Sequence, residues 1–178
     1  GYFLSGMNDY NYPGTIQVYD GLDWMIYEDN LSEKTGYPYL DVNCISVDPT
    51  DETHVYAGGR CGLYEFKDGR LLNYYNKDNS PLRPAIDRGT ELGNDYVLIN
   101  GIQFDQAGNL VVLNSQARGV NMLVLSKDHT WTNYYQELLE NADGISLSGL
   151  RSMFFDSRGL LWFVNTSWKD QSVCCYQP

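Results

Sequence analysis

The chain has 178 residues, 43% of them hydrophobic and 20% charged, and its 12 lysines and arginines against 23 acids leave a formal charge of −11. That is enough core-forming material for one domain, and so acidic a balance speaks against neutralising the phosphates of a nucleic acid or docking on anionic lipid. The longest apolar run, residues 160–164, is strand-sized and falls far short of the roughly 20 residues of a membrane helix, so no membrane insertion is expected.

Fifteen tyrosines and an aromatic share of 14% suit pleated, half-buried surfaces. In chain order the first predicted strands are residues 2–4, 15–19 and 24–27. The pattern apolar-x-apolar-Asp then appears at Ile45-Ser46-Val47-Asp48, again at Ile102-Gln103-Phe104-Asp105, and finally at Met153-Phe154-Phe155-Asp156. Each copy leads through a turn to a second strand (55–57, 110–113, 161–164) and then a third (63–66, 122–125, 173–176). Residues 71–75 and 131–135 supply a fourth in two of the units, after the turns Asp68-Gly69 and Asp128-His129. Asp-Gly is a favoured hairpin turn because both positions take positive φ. The total is 14 strands, with helix expected only as a turn or two within 135–141.

A four-stranded antiparallel meander recurring about every 50 residues is the signature of a β-propeller blade. The alternative, a β-sandwich, gives no reason for the same four-strand order to repeat. The fold class is therefore all-β, a β-propeller fragment of about three and a half blades spanning 1–178. Its blades are 1–30 (lacking a first strand), 40–76, 97–135 and 150–178 (lacking a last strand). Rings close with about four to eight blades, so the remaining blades are expected from a parent chain or from a second copy. The chain opens at Gly1 without a basic or apolar leader, so any export signal was removed or belongs elsewhere.

In a meander, first-to-second and third-to-fourth turns share one end, while second-to-third loops and blade connectors share the other. The latter set is long, notably 5–14, 29–40, 76–96, 114–121, 136–149 and 165–172, and 58–62 is counted with it. Long loops on a rigid scaffold are where binding usually resides. Arg60, Arg83, Arg88, Arg118 and Arg151 fall at that end, as do Tyr10, Tyr12, Trp168 and Lys169. Arginine forks read carboxylates or phosphates, and aromatics stack on sugars. Arg83, Arg88, Arg118 and Trp168 are the candidate ligand contacts, although the many acids of these loops also fit a solvated, salt-bridged rim.

Catalytic signatures are lacking. The only histidines, His54 and His129, fall in short turns of the opposite end, so neither a three-histidine zinc site nor a serine triad is expected. Asp48, Asp105 and Asp156 directly follow strands, where aspartate caps turns rather than binding calcium. Gly58-Gly59-Arg60-Cys61-Gly62 opens no helix and so offers no phosphate site. No C-x-x-C pair exists among Cys44, Cys61, Cys174 and Cys175, and buried free thiols are expected. Asn30-Leu31-Ser32 and Asn165-Thr166-Ser167 match the glycosylation sequon. No catalytic residue, metal or cofactor is assigned.

The run Gly62-Leu63-Tyr64-Glu65-Phe66-Lys67-Asp68-Gly69, then Asn79-Ser80-Pro81-Leu82, then Gly101 to Leu110, resembles the two-component-regulator propeller repeats of Bacteroidetes, especially those associated with type IX secretion. Asp156-Ser157-Arg158-Gly159-Leu160-Leu161-Trp162 is similar to the repeat's D-x-x-G-x-x-W pattern, and Val111 replaces the tryptophan one copy earlier. The resemblance implies an exported, non-enzymatic protein of the periplasm or cell surface, which senses oligosaccharides or serves surface secretion. The expected function is a binding or sensing module that recognises a glycan or protein partner through its long-loop face. The alternatives are a propeller glycosidase or lyase with two loop carboxylates, and a structural spacer.

Overall fold

The computed structural model describes residues 12–167 and 171–177. Strands β1 (Gln17–Tyr19) and β2 (Trp24–Ile26) form an N-terminal hairpin. β3 (Cys44–Asp48), β4 (Asp51–Gly59), β5 (Gly62–Lys67) and β6 (Arg70–Tyr75) pair in chain order as the second sheet. A small hairpin, β7 (Ile86–Asp87) with β8 (Thr90–Glu91), interrupts the next connector. The third sheet follows as β9 (Leu98–Phe104), β10 (Leu110–Ser115), β11 (Met122–Leu125) and β12 (Trp131–Asn133). The last is β13 (Leu150–Phe155), β14 (Leu161–Asn165) and β15 (Ser172–Tyr176). Every pairing within these sheets is antiparallel.

The period-two alternation of strand side chains explains how the sheets stand against one another. Val55, Ala57, Tyr64 and Phe66 of the second sheet pack with Ile16, Tyr27, Leu31 and Tyr39 on its N-terminal side. Their neighbours Tyr56, Leu63 and Tyr75 face the other way, into Ile99, Ile102, Leu110, Val112 and Leu123 of the third sheet. There the alternate residues Val111, Leu113 and Met122 turn instead toward Leu150, Leu161 and Phe163 of the last. Each middle sheet is thus buried on both faces by a different neighbour, and the first strands β3, β9 and β13 lie side by side. A two-layer sandwich has no such serial cores. The arrangement is that of propeller blades around an axis.

Close approach near that axis explains two glycines. A Cβ on Gly58 would stand 2.5 Å from Ile99 Cγ2 and 2.6 Å from Cys44 Sγ, and one on Gly101 would stand 2.5 Å from Met153 Sδ. Gly58 is thus a packing requirement of the inner strands, and a Cβ on Gly59 would stand 3.0 Å from the Leu40 carbonyl of the preceding connector. The loop expected at 58–62 contracts to Arg60 and Cys61, because β4 and β5 extend in register to Gly59↔Gly62.

The expected strand at 2–4 lies outside the described residues. The helical turn at 135–141 is the 3-10 segment Glu137–Leu139. Further short structure sits in the connectors: a helix α1 (Leu31–Thr35), a 3-10 turn Asn94–Tyr96, and the β7–β8 hairpin. The sequence hid these because each is too short to show periodicity.

Candidate functional site

At the long-loop end, between the third and last sheets, a cleft of about 860 Å³ opens, lined by Gln116, Glu140, Asn141, Asp143, Ser148 and Gln171 among others. Four segments build it, Ile86 of β7 among them. Gln116 follows β10 at φ 58, held from both sides: its carbonyl accepts Ile86 N–H at 2.8 Å and its own N–H donates to the Ser146 carbonyl at 3.1 Å. Ser146, 1% exposed, ties the connector down. Its hydroxyl donates to the Asn114 carbonyl and accepts from Ala117 N–H, both at 2.9 Å. Beyond it, Asn141 Oδ1 accepts the N–H groups of Asp143 and Ile145 at 2.9 and 3.1 Å, an Asx turn completed by Gly144 at φ 68. Ser167, Gln171 and Ser172 supply the remaining wall.

The cleft is polar and incompletely satisfied. Gln116 is 6% exposed, yet its Nε2 has no hydrogen-bond partner among the described residues, and neither has Glu140 Oε1. A buried unmatched donor or acceptor costs about 1–3 kcal/mol, and each such group in a native fold calls for an explanation. Here Gln116 and Glu140, an amide and a carboxylate, line one concavity, and no lysine or arginine is among its described lining residues. Such a set suits a neutral, hydroxyl-rich ligand better than an anionic one. Tyr135 bonds to the Glu140 side chain, which raises the phenol's pKa.

The arginines proposed from sequence lie at this end but do not line the cleft. Arg83 is exposed, and its backbone clasps Asn114: Arg83 N–H donates to Oδ1 at 2.7 Å and the Asn114 amide returns a bond to the Arg83 carbonyl at 3.1 Å. Arg88 is exposed at the tip of the β7–β8 hairpin, at φ 49, two residues beyond Ile86. Arg118 is exposed, two residues beyond Gln116, and its backbone bridges to Ile145. Trp168 lies outside the described residues. Arg60 is 8% exposed, 3.7 Å from Asp41 and over the Tyr96 ring.

The turn aspartates behave as expected. Asp48 Oδ1 accepts Thr50 N–H, Asp105 Oδ1 accepts Asn109 N–H, and Asp156 Oδ1 accepts the N–H groups of Arg158 and Leu160. The second oxygen explains the D-x-x-G-x-x-W pattern: Asp156 Oδ2 accepts the Trp162 indole N–H at 3.0 Å. Where Val111 replaces the tryptophan, the Asn109 amide donates to Asp105 Oδ2 at 2.9 Å instead.

His54 corrects a sequence expectation. It is a residue of β4, not of an exposed turn, and its ring nitrogens lie 3.0 Å from Asp48 Oδ2 and 2.8 Å from Glu65 Oε1. The thiols divide: Cys61 is buried, Cys44 and Cys174 are half-buried, and Cys175 is exposed, so the expectation of burial fails for Cys175. Burial pushes the Cys44 thiol up to about 12 and that of Cys61 to about 11.

No family model matches the chain, and no curated protein does. Among solved structures it is similar to PorZ, an essential bacterial surface component of the type-IX secretion system of Porphyromonas gingivalis. The two are 21% identical with a TM-score of 0.75, over 92% of this chain and 21% of that one. It is also similar to the extracellular domain of a hybrid two component system from B. thetaiotaomicron, at 16% identity and a TM-score of 0.58, over 93% of this chain and 20% of that one. The chain therefore spans about a fifth of the length of either structure. Together with the serial cores, these likenesses establish the fold: the chain is a run of β-propeller blades.

Proposed function

We propose that this chain is a binding module, without catalytic chemistry of its own, of an exported protein, and that its long-loop cleft takes a neutral glycan. The carrying observation is the pair of unmatched groups, Gln116 Nε2 and Glu140 Oε1, in one polar concavity. Sugar hydroxyls both donate and accept, so one ring could satisfy the amide and the carboxylate together. Arg88 and Arg118, beside the lining segments in sequence, and Arg83, exposed at the same end, serve as outer contacts, and Trp168, which the strand parity of the sequence assigns to the long loops, joins them. A location in the periplasm or on the cell surface is supported by likeness to a surface component and to an extracellular domain. The apolar outer face of the last sheet, with Phe154 54% and Val173 70% exposed, is suited to a further blade.

Neutral and anionic oligosaccharides on an array provide the test. Gln116→Ala with Glu140→Gln should abolish binding of a neutral glycan while the melting temperature holds, and the joint replacement of Arg83, Arg88, Arg118 and Trp168 should weaken it. Binding unchanged in the first variant refutes the cleft. A glycosidase reading draws on Glu140 and Asp143, which line the same cleft, and turnover of chromogenic glycosides lost in Glu140→Gln would favour it over the binding module.

A further inference from the structure

Glu65, on β5, has no solvent-exposed surface. Its Oε1 accepts from His54 Nε2 at 2.8 Å, and its Oε2 accepts from Asn73 Nδ2 at 2.8 Å and from the Tyr75 hydroxyl at 2.7 Å. The Tyr56 hydroxyl bonds to the same carboxylate. On its far side the His54 ring meets Asp48 Oδ2 at 3.0 Å. Ionised carboxylates only accept, and a neutral imidazole has a single N–H. Both bonds of His54 are therefore made together only when the ring carries two protons.

The network crosses from one sheet to the next. Tyr75, having donated its proton to Glu65, accepts from His129 Nδ1 at 2.8 Å, and that nitrogen lies 3.8 Å from Glu65 Oε2. His129 belongs to the β11–β12 turn of the third sheet and holds φ 60, a left-handed conformation uncommon outside glycine in which asparagine, aspartate and histidine are enriched. Both histidines of the chain thus converge on one buried carboxylate at the joint. Around them Tyr56 packs edge-on against Phe104, and Tyr75 against Trp131.

Comparison of the repeats shows what is particular to this joint. By strand register His54, just before Val55, holds the place that Asn109 holds before Leu110. Each donates to the second oxygen of its turn aspartate. In the third sheet that tie is an amide and in the last an indole, neither of which titrates. In the second it is an imidazole that reaches on to a buried acid.

We propose that Asp48, His54, Glu65, Tyr75 and His129 form a proton-operated seam at the joint of the second and third sheets, fully hydrogen-bonded when His54 is an imidazolium and one bond short when it is neutral. Burial opposes the charge on His54, but hydrogen bonds from Asp48 and Glu65 outweigh it and hold its pKa above the usual 6.5. Burial would likewise raise Glu65 and Asp48, yet their hydrogen bonds win and both lie below their ordinary 4.5 and 3.8. Of the other charges nearby, Lys67, the cross-strand partner of His54, is paired with Asp51, and Asp128 beside His129 accepts from Ser126 and Thr130.

The signs define a window. A raised histidine contributes stability that is complete below about 6.5 and lost as pH rises through its folded value, whereas depressed carboxylates contribute above about 4.5 and lose it as pH falls. The seam is firmest in mild acid.

Ring NMR with the two histidines assigned by His54→Gln and His129→Gln provides the test. His54 should keep both ring protons at pH 6.5, with a midpoint above 6.5 that Glu65→Gln lowers. Neutral His129 should carry its proton on Nδ1 and lose that preference in Tyr75→Phe. Melting temperature should fall by more than about 2 °C between pH 6 and 8.5 in the parent protein and stay flat in His54→Gln. A His54 midpoint at or below 6.5, or a pH slope unchanged in His54→Gln, overturns the seam. Because the seam lies between other sheets than the glycan cleft, failure of either proposal leaves the other standing.

Discussion

The inner-strand junction offers the sharpest test of the radial packing. Gly58→Ala adds one methyl at a point 2.5 Å from Ile99 Cγ2 and 2.6 Å from Cys44 Sγ, where van der Waals contact needs nearly 4 Å. Cys44 is the cross-strand partner of Gly58 within the second sheet, whereas Ile99 is fully buried in β9, so relief of the Ile99 contact requires the second and third sheets to part. Overpacking of this kind costs about 1–3 kcal/mol, which in a domain of this size lowers the melting temperature by about 2–12 °C. Gly93→Ala is the control: its backbone sits at φ −83 and nothing lies within 4 Å of the added methyl, so stability should hold or rise by up to about 1 kcal/mol. A thermal double-mutant cycle should show Gly58→Ala and Ile99→Ala together costing less than their sum, because the second removes what the first strikes. Strict additivity, or a Gly58→Ala variant as stable as the parent, would refute the close approach.

The turn tie of the last sheet makes a second prediction. Trp162→Phe keeps an aromatic ring but loses the indole donor to Asp156, so its melting temperature should drop at neutral pH. Hydrogen bonds from Arg158 and then Trp162 hold Asp156 far below its ordinary 3.8. That stability is present above about 3.8 and fades as pH falls toward the folded value, so Asp156→Asn should flatten the acid limb of a melting profile. Thiol accessibility makes a third. An Ellman titration of native protein should modify Cys175 fastest, a phase removed by Cys175→Ser. Cys61 and Cys44, whose thiols burial holds neutral, should react only on unfolding. Rapid labelling of Cys61 would mean that the β4–β5 turn opens in the native state.

Local chemistry made much of this molecule readable from the residues alone. The apolar-x-apolar-Asp repeat dictates turn, strand parity and period, because an aspartate after a strand caps its own turn whatever surrounds it. Alternation then assigned residues to two faces, and the repeat required those faces to meet similar neighbours. The same parity distinguished the long-loop end from the short, and so indicated the end at which Gln116 and Glu140 were to be found, though not the residues.

What only the tertiary structure decided depends on separations that strand patterns do not encode. Gln116 becomes an unmatched donor because Ile86 and Ser146, thirty residues away on either side, pin its backbone. Gly58 answers to Ile99 rather than to a phosphate. His54 and His129, 75 positions apart in the sequence, meet at Glu65 because the turn of one blade overlies the outer strand of the one before. A charge buried at such a joint is set by the packing of two sheets, and no single segment of the chain carries that information.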